Sequence, residues 1–377
     1  MSEDKIKDVR VATILAPLAS PVTFGTWVMR HREFALCVVR SEGGVLGRAF
    51  TYTRDGPVAP IVDRLVAPHY VGRSYDDPVE LSFAAGWTNH ANLAAGTGHR
   101  ALGLVDLATW DLKARAAGTP IAKLLGGRVG PLPAVAIVGY PPSMDAEELR
   151  DQVRDLHAAG WRRFKQAVSG TEENTLARLR AAIEAAPDSW HGLDANYIYR
   201  SVDEALAFIR KLEGLPVGWF EDVVPPGDAE MVAAIRRGSS VAIAMGDDQG
   251  GAYHPDALLR AEALDVARID VSANGGLSRL RPLLRRVADA GLPFAPHMYA
   301  HVHAPILSGL GHVDVPIEWG VPGSGVDQYA DSLTQPTIRD GLMEPLPEGP
   351  GLGDIVNLDW IAEQTVDDPH RLVADLA

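Results

Sequence analysis

The feature that most constrains how this chain folds is a regular alternation of short apolar runs with helical segments between residues 131 and 343. The helical segments carry apolar residues at three- and four-residue spacing, as one face of an α-helix does. Strands separated by helices pair in parallel, and eight of them predict a closed α/β barrel. The predicted strands are 134–138, 163–167, 190–194, 218–221, 241–245, 266–270, 292–295 and 315–318. The clearest predicted helices are 146–159, 175–186, 202–212 and 276–290.

The chain before this repeat follows a different pattern. Short β-rich runs at 34–40 and 46–53 mix with helical stretches at 61–67 and 102–117, which predicts an α+β unit. The end of the chain is rich in proline and glycine and then mixed, and we expect it to pack back on the N-terminal unit. The sequence therefore predicts three parts, with bounds 1–128, 129–345 and 346–377.

Composition limits the kinds of partner that the protein can bind and the cell compartment in which we expect it. A chain of 377 residues with 46% hydrophobic content can bury a sizeable core, and a net charge of -14 argues against nucleic acid or anionic membranes as partners. The start MSEDKIKDV has no apolar signal region, and no apolar run approaches the roughly 20 residues of a membrane span. We expect a cytoplasmic protein. Cys37 is the single cysteine, so a disulfide within the chain is excluded, and its apolar neighbours predict a buried strand position.

Polar residues recur where the predicted barrel strands end. They follow one another at intervals of 21 to 29 residues, about one strand-helix unit. A single acidic residue at such a position is often a helix cap, but a series in phase indicates an active site at the barrel mouth. The series comprises Lys165, Asp194 with Asn196, Glu221 with Asp222, Asp247 with Asp248, Asp270, His297 and Glu318.

Three of these carboxylates stand on successive strand ends, at Asp194, Glu221 and Asp247. Neighbouring carboxylates repel one another and raise each other's pKa unless a cation neutralises them. Oxygen ligands suit Mg²⁺, for which Mn²⁺ can substitute. The sequence therefore predicts a magnesium site that holds a small-molecule carboxylate substrate and stabilises the charge formed when the adjacent C–H proton is removed.

His297 and Asp270 end adjacent predicted strands, which suggests a general base with its orienting carboxylate. A histidine bonded only to backbone at a strand end is the plain alternative. His297, His301 and His303 could also form a histidine metal site, although the three carboxylates offer a better-organised position.

Several motifs together resemble the enolase superfamily, in the branch similar to mandelate racemase. They are ALGLVDLATWDLKARAAGTPIAKLLGG at 101–127, LDAN at 193–196, WFED at 219–222, MGDD at 245–248, VARIDVSANGG at 266–276, APHMYAH at 295–301 and GPGLGD at 349–354. The resemblance implies a (β/α)7β modified TIM barrel with an N-terminal α+β capping domain, and a homo-oligomer such as a dimer or octamer. It implies the metal ligands Asp194, Glu221 and Asp247, the dyad of Asp270 and His297, and Glu318 as an acid at the substrate carboxylate.

The resemblance also implies two capping-domain loops that close over the mouth, near 18–30 and 52–57. We expect these loops to contact the substrate through Trp27, Tyr52 and Arg54, and we expect Asn196 to contact it from the barrel. Aromatic residues there favour an apolar or planar group, whereas Arg54 could pair with a distal carboxylate or hydroxyl.

One motif departs from the family pattern, which has Lys-x-Lys on the second barrel strand. This chain has Lys165-Gln166-Ala167. Alternation along a strand points positions 165 and 167 the same way, so Ala167 removes a base that would face His297 across the substrate. Lys165 remains as a cation near the substrate carboxylate. The resulting one-base site predicts a hydro-lyase that dehydrates an acid sugar, an aldonate or aldarate, to a 2-keto-3-deoxy acid. A racemase or epimerase of a 2-hydroxy or amino acid, and a non-catalytic metal-binding barrel, are the alternatives.

Overall fold

The computed structural model describes most of the chain, with gaps of one to fourteen residues between the described ranges. The side chains of residues 19, 20, 23, 24 and 27 are also outside the described part. Several residues of the sequence analysis therefore lie outside the described part. They are the predicted ligand Asp247, its neighbour Asp248, residue 354 and the side chain of Trp27. The described ranges are 4–24, 27–140, 143–225, 227–246, 251–321, 336–345, 349–353, 357–368 and 371–372.

The N-terminal part is built on an antiparallel meander of β1 (Ile6–Phe24), β2 (Trp27–Ser41) and β3 (Leu46–Tyr52). Ala35 in the central strand β2 pairs with Thr13 of β1 on one side and Thr51 of β3 on the other. Cys37 is buried in β2 as predicted, where burial raises the pKa of its thiol. The meander is followed by α1 (Val58–Ile61), a π-helical turn (Val62–Val66), a 3-10 turn (Ala67–His69), α2 (Pro78–Thr88), α3 (His90–Leu93), α4 (Gly96–Ala116) and α5 (Ile121–Leu124).

Within 18–30, where a loop was predicted, the described residues instead continue two long strands, and the closing of this segment over the mouth stays a prediction. Val22 and Met29 pair across β1 and β2, and both are buried, so their apolar side chains hold this end of the hairpin on the sheet. The register shifts between Pro17 and Val22, which is where a strand tolerates proline. The second predicted loop does follow a strand end, because β3 stops at Tyr52 and a turn leads into α1.

Helix α4 joins the N-terminal part to the barrel. Its Gly103 packs so closely on the chain after the sixth barrel strand that an added Cβ would lie 2.4 Å from the carbonyl oxygen of Ser272. Asp106 accepts hydrogen bonds from the backbone and hydroxyl of Ser278, and Trp110 Nε1 donates to the same hydroxyl at 2.9 Å. These buried contacts fix the segment that carries Asp270.

Eight parallel strands form the barrel, and the prediction of a (β/α)7β barrel is confirmed. The first seven strands pair in chain order, and the eighth pairs with the first through Ile317 and Ala134. Two strands, Arg163–Ala167 and Trp190–Asp194, have the predicted bounds, and the others shift at one or both ends by one to two residues. The strands are β4 (Leu132–Val138), β5 (Arg163–Ala167), β6 (Trp190–Asp194), β7 (Val217–Glu221), β8 (Ile243–Met245), β9 (Val266–Ile269), β10 (Phe294–Pro296) and β11 (Ile317–Gly320).

A helix follows each of the first seven barrel strands. Four of these helices start at a polar residue whose side chain accepts a hydrogen bond from a first-turn N–H, namely Asp145, Thr171, Ser201 and Asp228. Such caps explain why the helices begin where they do. The helices are α6 (Ala146–Ala158), α7 (Glu172–Ala185), α8 (Val202–Ile209, extended by a 3-10 turn Arg210–Leu212), α9 (Ala229–Gly238), α10 (His254–Arg260), α11 (Leu277–Asp289) and α12 (Ala300–Gly309).

The C-terminal segment contacts both parts of the molecule. The hairpin of β12 (Ile338–Arg339) and β13 (Leu342–Met343) pairs antiparallel with β4, and after α13 (Leu358–Gln364) the short strand β14 (Thr365–Asp367) pairs with β1. The domain bounds at 128 and 345 stay predictions. Across the described ranges, no helix is long and apolar enough to cross a membrane.

Candidate active site

The predicted polar residues of the described strands meet at the carboxyl ends of the barrel strands. Asp194 and Glu221 are the last residues of β6 and β7 and stand side by side in register. Ala167 at the end of β5 is in register with Asp194. The parallel ladder thus brings residues that are far apart in sequence to one mouth, where barrel enzymes carry their chemistry.

A carboxylate cluster at this mouth has the composition of a metal site. Oxygen atoms of Asp194, Glu221 and Asp222 all lie within 4.8 Å of one another. Asp222 belongs to the sequence series but was not predicted as a ligand. Gly246, the last described residue after β8, leads directly to the predicted ligand Asp247.

The cluster fits a hard divalent cation on two grounds. Its donors are all carboxylate oxygens, the ligand type that Mg²⁺ prefers. Burial raises the pKa of Glu221, although Arg268 and Lys165 act in the opposite direction. A cation bound among these oxygens would favour the charged form that burial disfavours.

Lys165 lies among three carboxylates. Its Nζ is 2.7 Å from Glu221 Oε1, 2.6 Å from Glu318 Oε1 and 3.5 Å from Asp194 Oδ2. Burial alone would lower the pKa of Lys165, but Glu221 and Glu318, with Asp194, hold that pKa well above its usual range. Lys165 is therefore a cation at neutral pH in this arrangement.

Arg268 is a site residue that the sequence analysis missed. Its buried guanidinium lies 2.6 Å from Glu318 Oε1 and 3.3 Å from Glu221 Oε1, and it packs over the ring of Trp219. Alternation along β9 places positions 268 and 270 on the same side, which is the signal that could have found it. Arg268 and Lys165 outweigh burial and hold the pKa of Glu318 below its usual range.

The two side chains of the predicted dyad are in contact. His297 Nδ1 lies 3.1 Å from Asp270 Oδ2, and the imidazole is 14% exposed. Burial alone would raise the pKa of Asp270, but the hydrogen bond and charge of His297 outweigh it, and the pKa is lowered. The ionised Asp270 accepts a hydrogen bond from the Nδ1–H of His297, which leaves Nε2 as the basic nitrogen.

The alternative histidine metal site does not form. His303 Nε2 accepts a hydrogen bond from the backbone N–H of Val271 at 3.0 Å, so Nδ1 is protonated and donates to the Met298 carbonyl at 2.8 Å. Both ring nitrogens of His303 are used, and burial lowers its pKa. His301 packs against the ring of Trp319 with centroids 5.0 Å apart.

The residues predicted for substrate contact lie in different environments. Tyr52 is buried, and its backbone N–H donates to Tyr299 Oη at 2.5 Å, which ties β3 of the N-terminal part to the segment after β10. Arg54 is exposed in the following turn, with its guanidinium 5.3 Å from the Tyr52 ring centroid. Asn196 is half-buried beside the cluster, and its backbone N–H donates to Asp194 Oδ1.

An α+β domain on a (β/α)7β barrel, with a carboxylate cluster and an Asp-His pair at the mouth, defines a class of enzymes. Residues 6–126 match the family model described as mandelate racemase / muconate lactonizing enzyme, N-terminal domain, and residues 148–360 match the enolase C-terminal domain-like model. The chain belongs to this family, and the resemblance predicted from the motifs is confirmed.

Named relatives share the length of the chain at low identity. D-galactarolactone cycloisomerase of Agrobacterium fabrum is 27% identical, over 97% of this chain and all of the relative. Arabinonate dehydratase of Saccharolobus solfataricus is 27% identical, over 66% of this chain and 68% of the relative. The solved structure of L-talarate dehydratase from Polaromonas sp. JS666, with Mg and L-glucarate, superposes with a TM-score of 0.84 at 24% identity, covering 97% of this chain and 98% of that one.

Proposed function

We propose that this protein is a Mg²⁺-dependent lyase that dehydrates an acid sugar, an aldonate or aldarate, to a 2-keto-3-deoxy acid. The observation that carries the proposal is the pair of Asp270 and His297 at a mouth where Ala167 stands in place of a second base. The names of the relatives, a sugar-acid dehydratase and a sugar-lactone cycloisomerase, support this substrate class.

Asp194, Glu221 and Asp247 are the proposed metal ligands, with Asp222 beside them. When bound, Mg²⁺ supplies a Lewis acid that holds the substrate carboxylate and stabilises the negative charge that develops on it. Lys165 adds a fixed positive charge next to this position, since its raised pKa keeps it protonated.

Glu318 acts at the substrate carboxylate through the groups it holds. One of its oxygens accepts from Lys165 and Arg268, and the other accepts from the backbone N–H of Met298 at 3.0 Å. We therefore assign Glu318 as a positioning residue that fixes the Lys165 ammonium. Its contacts also hold the chain just after His297.

His297 carries both proton transfers. Its Nε2 removes the proton on the carbon next to the carboxylate, and the electron pair of the broken C–H bond moves into the carboxylate. The imidazolium then donates the same proton to the hydroxyl on the adjacent carbon as the C–O bond breaks, so water leaves. The enol that remains tautomerises to the 2-keto-3-deoxy acid. Asp270 stabilises the imidazolium between the two steps.

Elimination needs one base, whereas racemisation by two bases needs an acid or base on each face of the carbon. Ala167 has no ionisable group and is fully buried at the position that faces His297 in the Lys-x-Lys pattern. Lys165 is held by carboxylates and keeps its proton. These features favour dehydration over racemisation.

Opening of a sugar-acid lactone is a second candidate, favoured by the likeness to D-galactarolactone cycloisomerase over nearly the whole chain. In this reaction His297 would again remove an α-proton, and the carboxylate of the lactone ester would leave in place of hydroxide, which opens the ring. An assay that includes lactones separates this reaction from dehydration.

The test is an NMR assay in D₂O with Mg²⁺ and a panel of aldonates, aldarates, their lactones, 2-hydroxy acids and amino acids. A 2-keto-3-deoxy product supports the proposal. Inversion at the α-carbon with deuterium uptake would replace it with the epimerase, and loss of lactone without loss of water would replace it with the cycloisomerase. Absence of any exchange across the panel would favour a non-catalytic barrel.

The remaining assignments are proposals of the same kind. We propose that Asn196, Trp27, Tyr52 and Arg54 line the substrate pocket. We also propose a cytoplasmic homo-oligomer, a dimer or octamer, with no nucleic-acid or membrane partner. Light scattering coupled to size-exclusion chromatography measures the oligomeric state and contradicts this last proposal if the protein is a monomer.

A further inference from the structure

Arg32 is a buried cation in strand β2 for which the described chain provides no counter-ion. The residue is 7% exposed, and its Nε is buried without a hydrogen-bond partner. Among the residues that the structure describes, no carboxylate lies within ion-pair distance of its guanidinium. It differs in this from Arg40 on the same strand, which lies 3.9 Å from Asp8.

Arg32 lies at the junction between the N-terminal sheet and the barrel mouth. Its guanidinium carbon is 5.1 Å from the ring centroid of Tyr52. The Tyr52 ring is 5.2 Å from the ring of Tyr299, and the Tyr299 ring is 6.5 Å from the imidazole of His297. Two aromatic rings therefore connect the arginine to the proposed base.

Tyr140, two residues beyond the end of β4, is a buried phenol on which both Arg32 and the carboxylate cluster act. Burial raises the pKa of the Tyr140 phenol and Asp194 raises it further, whereas Lys165 and Arg32 act in the opposite direction. The charges of Asp194 and Arg32 therefore both reach this one buried phenol.

A second arginine lies near the same aromatic ring as Arg32. The guanidinium of Arg54 lies 5.3 Å from the same Tyr52 ring, so two arginines flank one aromatic side chain. Like charges close together raise the potential for an anion. A buried guanidinium is costly without a partner, and its planar fork matches a carboxylate in a bidentate geometry.

The carboxylate next to the reacting carbon already has its partners in the proposed mechanism, at Lys165 and the metal position. An anion at Arg32 must therefore be a second group of the substrate. We propose that Arg32 binds a distal carboxylate, so that the substrate is a diacid of the aldarate type and not the corresponding monoacid. This inference rests on the proposed function and selects one of its two substrate classes.

The test compares matched acids that differ at the distal end, galactarate with galactonate and glucarate with gluconate. Wild type is expected to prefer the diacid by about 100-fold in kcat/KM. Arg32→Met should remove about 100-fold of the diacid kcat/KM, mainly through KM, and leave the monoacid within about threefold. Arg32→Lys, which keeps the charge without the fork, should fall between. Arg40→Met, the same change roughly 26 Å along the strand, should leave both acids unchanged.

Calorimetry separates failure of this inference from failure of the proposed reaction. Binding of each acid is measured to the Mg²⁺-loaded His297→Asn variant, with and without the additional Arg32→Met substitution. Diacid binding that depends on Arg32, without dehydration by wild type, would refute the reaction and support the inference. Three results would overturn the role of Arg32. They are an equal loss of affinity for diacid and monoacid in the Arg32→Met variant, a preference of wild type for the monoacid, and no binding of the diacid.

Discussion

His297 Nδ1 lies 3.1 Å from Asp270 Oδ2, and Asp270 is itself fixed by the loop that follows β9. The second oxygen of Asp270 accepts hydrogen bonds from the backbone and hydroxyl of Ser272, at 2.8 and 2.7 Å, and from the backbone of Ala273 at 3.1 Å. A carboxylate held at both oxygens cannot rotate freely. The imidazole therefore has one orientation and one tautomer, with Nε2 available as the base.

Asp270→Asn tests that relationship. The amide cannot stabilise the imidazolium as a carboxylate does, so we expect kcat to fall by about 100- to 10,000-fold with little change in Mg²⁺ affinity. Steady-state kinetics and metal titration measure the two quantities. Asp314→Asn, an exposed site, is the control. A kcat within about threefold of wild type would mean that Asp270 does not serve the base.

The metal ligands are tested by single carboxylate-to-amide changes. Asp194→Asn and Asp247→Asn should each weaken Mg²⁺ binding by at least about 100-fold, because each removes a charged ligand. Asp222→Asn should weaken it less. Isothermal titration of the metal gives all three affinities. A larger loss for Asp222→Asn than for Asp247→Asn would make Asp222 the third ligand.

Arg268→Met should destabilise the protein and impair catalysis together. The change leaves Glu318 and Glu221 buried with one cation fewer, and breaking a buried ion pair in this way costs about 3 kcal/mol or more in the free energy of unfolding. Urea unfolding and kcat are the measurements. The exposed Arg237→Met is the control, and a variant as stable as wild type would contradict the buried network.

Buried His99 predicts loss of stability on acidification. Burial lowers its pKa to about 4, whereas an unfolded histidine titrates near 6.5. Between these two pH values the unfolded chain binds more protons than the folded protein. The contribution of His99 to the free energy of unfolding is therefore fully present above pH 6.5, and it falls by up to about 3 kcal/mol as the pH drops to 4.

In His99→Gln, the free energy of unfolding should fall by about 2 kcal/mol less between pH 7 and pH 4.5 than it does in wild type. Urea unfolding at both pH values measures this difference. Some loss will remain because His303 is also buried with a lowered pKa and acts with the same sign. An unchanged difference would show that His99 does not contribute.

Local pattern predicted the barrel and the positions of its carboxylates because both depend on short-range periodicity. Asp194 and Glu221 follow apolar runs, and a parallel ladder then brings the strand ends together. Arg268 was missed although alternation places it on the side of Asp270, because an arginine inside a strand ordinarily indicates a solvent-facing position. Its burial depends on Glu318, fifty residues away.

The paired strands at this end of the N-terminal hairpin were not predicted, because the resemblance implies a loop at 18–30. The strands accommodate Pro17 and Pro21 where their register shifts. The position of Arg32 beside Tyr52 could also not be predicted from the sequence. It arises from cross-strand packing and from the contact between Tyr52 and Tyr299, which are 247 residues apart.

The most direct test of the central claim is the rate of α-proton exchange in D₂O for His297→Asn, followed by NMR with a substrate that wild type dehydrates. We predict that exchange and dehydration both fall by at least about 1,000-fold, whereas the exposed His90→Asn control keeps wild-type rates. Exchange that continues at the wild-type rate in His297→Asn would contradict the assignment of His297 as the base and the one-base mechanism built on it.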